Sequence, residues 1–155
     1  MTGERITTLA GGKESDSLGL RADILAMTDA ASAAVMTPAA EGAFSHSRRA
    51  ALAARIARLN GREDLAAHYG KGMDVRDEAI ADPSFDGGRD AQLATILAFT
   101  DRVATSPKDA TSDDINGLKH AGLADADIVR LTQLNAFLAY EIRLIDGLRL
   151  MGLAP

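Results

Sequence analysis

The segment from Asp125 to about Met151 constrains this chain most, because it reads as one long helix. In its first half Asp127, Arg130 and Gln133 cluster on one side. Further along, Phe137, Leu144 and Leu148 take that same side at ~100° per residue. Arg143, Asp146 and Arg149 fall opposite them. The pattern predicts an exposed face that switches sides midway. A helix of this kind must meet different neighbours along its length, either other helices or another subunit.

The rest of the chain repeats the helical period. One helix is predicted from about Leu20 to Met36, with Pro38 just past its end. A second runs from about Ser47 to Asn60, with Ser45 and Ser47 as alternative N-caps and a stripe of Leu52, Ile56 and Leu59. Its many alanines let neighbours pack close. Arg48 and Arg55 share one of its faces with Arg58 beside them, and Gly61 can end it at positive φ. A third helix starts near Arg62. Val75 to Ala81 reads as a helical turn or two, and Asp90 to Ala104 as a fourth full helix. Ser112 is expected to cap a short fifth, Asp113 to His120. No segment alternates convincingly enough for a strand. The expectation is an all-α, multi-helix bundle. It forms a single helical domain over residues 20–155, preceded by a polar arm or loop over residues 1–19 in which Ile6 and Leu9 are the anchors.

A chain of 155 residues can bury one sizeable core. Aromatic residues make up only 4% and Trp is absent, so that core must come mainly from Ala, Leu, Ile and Met. The net charge of -5 argues against a nucleic acid or an anionic membrane as partner. No apolar run approaches the ~18 residues of a membrane span, and the start lacks the pattern of a secretory signal. A cytoplasmic location is expected. Cysteine is absent, which excludes disulfides, zinc–thiolate sites and cysteine nucleophiles. There is no Gly-rich phosphate loop in a strand–helix context. Neither a cofactor nor a metal is expected.

The chain has three histidines. His46 reads as a surface or capping residue, and His120 suits a helix C-terminus. His68 sits one turn after Asp64, and such a pair shares a helix face. The pair is either a structural contact or a general base whose tautomer is fixed by a carboxylate. As a metal site it lacks a third ligand. Glu141 lies on the apolar side of the last helix and must be paired, hydrogen-bonded or protonated. Its alternatives are an ion pair with Arg48 or Arg55, or a carboxylate lining a pocket. Tyr69 and Tyr140 are further candidate buried or pocket-lining polar groups.

The run from Ala53 to Gly61, followed by Leu65-Ala66-Ala67-His68-Tyr69, resembles the signature region of carboxymuconolactone decarboxylase-like proteins. That superfamily includes the alkylhydroperoxidase D type. The tail from Ile128 to Arg143, ending in Gly147-Leu148-Arg149-Leu150, is similar to the closing helix of one branch. Leu97 to Asp101 and Ala121-Gly122-Leu123 also fit, so the resemblance spans roughly residues 4 to 152. It implies an alkylhydroperoxidase D-like bundle and a homo-oligomer, dimer to hexamer. Redox members carry Cys-x-x-Cys, with His four residues after the second Cys. If His68 is that histidine, the thiols would fall on Gly61 and Asp64. If Asn60-Gly61 sets the register, they would fall on Arg62 and Leu65, and the histidine on Tyr69. The glutamate that helps activate the thiol would fall near Ala50. Only His68 matches, and only in the first register.

Three functions follow. The first is a non-redox enzyme, lyase- or hydrolase-like, in which His68 and Asp64 work on a small carbonyl or lactone compound. The second is a non-catalytic helical oligomer or a subunit that partners an active relative. Residual peroxidase activity is the least expected, because no thiolate is available to attack peroxide.

Overall fold

The computed structural model describes residues 4–11, 19 and 21–151. Its helices are α1 (Glu4–Ala10), α2 (Ala22–Met36), α3 (His46–Leu59), α4 (Glu63–Gly70), α5 (Ala91–Thr105), α6 (Ser112–His120) and α7 (Asp125–Leu150). Short 3-10 helices cover Val75–Ala81 and Pro107–Asp109. No strand occurs among the described residues, so the expected all-α bundle is what forms.

Helix α3 is the centre of the bundle. Every residue from Arg49 to Ala57 is buried. It packs against α2, α4, α5, α7 and the 3-10 helix at Val75–Ala81. The alanines at 50, 51, 53, 54 and 57 make this possible, because they let five neighbours approach one axis. Ser45 is the N-cap, its hydroxyl accepting from the Arg48 N–H at 3.1 Å. Ser47, the alternative cap, instead donates to Asp77 at 2.5 Å. At the other end Gly61 sits at φ +70, and the Arg62 N–H reaches the Ala57 carbonyl at 2.9 Å. The left-handed glycine and this backward bond close the helix as the sequence predicts.

Two arginines of α3 are buried, Arg49 and Arg55. Arg49 donates to the carbonyls of Phe44, Val35 and Glu41, fixing the connection from α2. Arg55 is only 2% exposed and grips Asp101 with both arms of its fork, at 2.6 and 2.7 Å. It also donates to the carbonyls of Ile80, Asp82, Pro83 and Phe85. Segment 80–85 therefore takes its shape from a guanidinium rather than from local periodicity. Gly87, at φ +97, completes that loop, because a Cβ there would lie 2.6 Å from the Ala94 nitrogen.

Helix α7 meets α1, α2, α3, α5 and α6, as its long mixed surface demands. Its buried side does not switch midway. Leu131, Leu138 and Ile145 form one heptad-spaced row and Leu134, Glu141 and Leu148 another. Such rows drift by only ~20° per heptad on a straight helix, so one strip stays buried from end to end. Asp127, one heptad before Leu134, extends the second row, and its carboxylate is satisfied there by Arg130 at 2.9 Å and by the Ala43 N–H.

The segment predicted as an arm or loop contains helix α1. Ile6, Thr7 and Ala10 are buried by it, and α1 lies against α7. Arg149 adds a hydrogen bond to the Leu9 carbonyl at 2.9 Å. Residues 1–3 and 12–18 of the predicted arm lie outside the described residues, as does Leu20, the predicted start of α2. Thr111, rather than Ser112, caps α6, through a reciprocal pair with Asp114.

Candidate functional site

Helix α4 follows directly on the closure of α3 and presents two aromatic rings in sequence. Tyr69 points inward and is buried, while His68 is half-buried at the surface. Their rings meet edge to face, with centroids 5.2 Å apart. Behind them α7 brings Glu141, which is 0% exposed. The Tyr69 hydroxyl donates to one Glu141 oxygen and Arg5 of α1 donates to the other. A buried carboxylate is tolerable only when hydrogen bonds and opposite charge satisfy it, and here two helices supply both.

The partner of Glu141 is thus Arg5, in place of the expected Arg48 or Arg55. Arg48 lies 3.7 Å from Asp77, and Arg55 is taken by Asp101. Burial alone would lower the Arg5 pKa, but the hydrogen bond and charge of Glu141 outweigh it and leave it raised. Burial, followed by the charge and hydrogen bond of Glu141, pushes the Tyr69 hydroxyl far up, so it remains a protonated donor. Asp29 of α2 lies 3.4 Å from Arg5 on its outer side.

His68 faces open space. A cavity of about 570 Å³ runs between α1, α2, α3 and α4, with His68, Arg5, Asp29 and Tyr69 among its walls. A second, of about 380 Å³, lies against α1 and shares His68, Arg5 and Asp29 with the first. His68 therefore stands where two hollows meet. Its ring makes no hydrogen bond to a described residue. Burial lowers its pKa, Glu141 opposes this, and Arg5 and Lys71 reinforce it. The imidazole is therefore neutral at neutral pH and has a lone pair to offer.

The Asp64–His68 pair does not form. Asp64 accepts from Arg62 at 3.0 and 3.1 Å and from Arg149 at 2.6 Å. The Arg62 hydrogen bonds hold its carboxyl well below the usual range against the cost of partial burial. Two guanidinium groups outcompete one neutral imidazole for a carboxylate. Asp64 is thus a fastener between α4 and α7. Tyr140, expected among the pocket or buried groups, is 42% exposed and lines neither cavity. Position 140 lies about 100° round the helix from Glu141 and faces outward. Its hydroxyl sits 2.8 Å from that of Thr28.

Three residues of the site are not among those expected there from the sequence: Arg5, Asp29, and His46, which reads as a surface or capping residue. Arg5 was hidden in a segment read as an arm, although Ile6, Leu9 and Ala10 have the spacing of a short helix face. Asp29 carried no local signal. His46 lines the larger cavity while its Nε2 lies 2.9 Å from the Pro38 carbonyl. Among the described residues no group of three or more His, Cys, Asp or Glu is placed to hold a metal. No helix of the described residues is long and apolar enough to cross a membrane.

No protein-family model, curated protein or solved structure matches the chain.

Proposed function

We propose that this chain is a cysteine-free relative of the carboxymuconolactone decarboxylase and alkylhydroperoxidase D-like proteins. In this reading it is a non-redox acid/base enzyme acting on a small carbonyl or lactone compound. One observation carries the chemistry. A neutral His68 imidazole, without a hydrogen-bonding partner among the described residues, stands at the junction of two cavities. Such a group can accept a proton from a carbon beside a carbonyl, or from a water attacking a lactone. The imidazolium formed would sit within the field of Glu141, which favours the charged ring. Arg5 and Tyr69 hold Glu141 in place and so act on the histidine through it.

The test is turnover of a panel of small ketones, esters and lactones by the wild type and by His68→Gln. General-base participation contributes about 100-fold or more, so the variant should fall by that much on any active substrate. Equal turnover by both would sink the assignment.

A second reading, a helical subunit that associates with a copy of itself or with an active relative, has its own support. Helix α2 has only two charged residues, Asp23 and Asp29, yet buries only Leu25 and Thr28, and Met27 is 57% exposed. An apolar helix left so open is suited to a partner surface. Light scattering at micromolar concentration decides this, because a strict monomer removes the support.

A further inference from the structure

The cavities beside His68 have one arginine at their junction, and that arginine is already committed. Arg5 donates to Glu141, which is wholly buried and balances its charge one for one. Asp29 adds a second carboxylate to the same walls, 3.4 Å from the Arg5 Nε. A site that captures a carboxylate or phosphate needs a guanidinium or ammonium with charge to spare. An anion entering here would instead meet Asp29 at close range.

The remaining features point to a different guest. Ala33, Met36, Ala50 and Gly72 give the larger cavity an apolar wall. Its volume of about 570 Å³ lies in the range that holds small organic ligands. The His68 ring, without a hydrogen-bonding partner among the described residues, lines the same hollow and can donate to an oxygen that accepts without bringing a charge.

We propose that this site selects an uncharged carbonyl compound with a compact apolar body, such as a ketone, ester or lactone, over the corresponding carboxylate. The carbonyl oxygen turns toward His68, and the body lies against Ala33, Met36 and Ala50. The proposal deepens the acid/base reading and rests on it only in taking the His68 cavity as the place of binding.

Binding is measured by titrating the full chain with cyclohexanone and ε-caprolactone, and separately with cyclohexanecarboxylate and hexanoate. The His68 ring resonances serve as reporter. The neutral probes should shift them and saturate, with the carboxylates at least about tenfold weaker. Asp29→Asn should strengthen carboxylate binding about threefold or more relative to the neutral probes. Carboxylates that bind as well as the neutral probes would overturn the proposal, and so would a failure of all four to bind. The two claims separate cleanly. Selective binding of neutral probes with unaltered turnover in His68→Gln keeps this selectivity and removes the acid/base role. Unselective binding with a large loss of turnover in that variant does the reverse.

Discussion

Arg5 Nη1 donates to Glu141 across 136 positions of sequence, so the first helix and the last are tied together at the wall of the His68 cavity. The pair is asymmetric, with an Arg5 side chain 25% exposed against a carboxylate with no exposure at all. Removing Glu141 leaves the partly buried Arg5 guanidinium without its hydrogen-bonded partner, with Asp29 at 3.4 Å as the remaining carboxylate beside it. Glu141→Gln should therefore cost about 3 kcal/mol, read as a lower urea midpoint. Replacing both partners with apolar residues, Arg5→Met with Glu141→Leu, should recover much of that loss. A double variant no more stable than Glu141→Gln would show that the pair does not carry the cost.

That relationship marks the limit of what a linear reading gives. The helices were legible because hydrophobic spacing, caps and Gly61 all act within a few residues. Even the burial of Glu141 could be inferred, since residues 137, 141, 144 and 148 recur at helical spacing. Its partner could not, because no local rule links position 141 to position 5. Arg55 carries the same lesson. Its sequence neighbours are mostly alanines, and nothing local shows that an aspartate and four carbonyls from distant segments converge on it. The Asp64–His68 spacing failed for the opposite reason. Sequence separation placed both on one helix face, but Arg62 and Arg149 were nearer in energy to the carboxylate.

Arg55→Lys tests how much the fork matters. A lysine keeps the charge but cannot bond both Asp101 oxygens and the carbonyls of Ile80, Asp82, Pro83 and Phe85 together. The expected loss is about 3–5 kcal/mol, the range for a broken buried pair. It should appear with faster amide exchange over residues 80–85, because those carbonyls hold the segment. A loss below about 1 kcal/mol would mean the loop is held by something else.

Asp64→Asn should weaken the α4–α7 contact and leave His68 untouched. Its carboxylate is half-exposed, so the stability loss at neutral pH should be only about 1 kcal/mol. The folded pKa is depressed, so the stabilisation is complete above the unfolded value of 3.8 and disappears as pH falls through the lower folded value. The variant should therefore show a smaller loss of stability on acidification below pH 3.8 than the wild type. NMR titration of the His68 ring should give the same midpoint in both proteins. A moved midpoint would restore the Asp64–His68 dyad that the geometry removes.

His68 should make the protein less stable on mild acidification, through the opposite half of the same linkage. Burial lowers its folded pKa below 6.5, so the unfolded chain takes up the proton first as pH falls. Above pH 6.5 neither state is charged at this position and it contributes no pH dependence. Between 6.5 and the folded value each step toward acid favours the unfolded chain, and below the folded value the penalty is constant. His68→Gln removes this component, so the difference in urea midpoint between variant and wild type should change across that window and level off on either side. The same ionisation governs chemistry, because only the neutral ring accepts a proton. On any substrate found, wild-type kcat/KM should therefore fall on the acid side of the folded His68 pKa measured by NMR. A rate that keeps its neutral-pH value after the ring has titrated would separate His68 from the reaction, whatever its effect on stability.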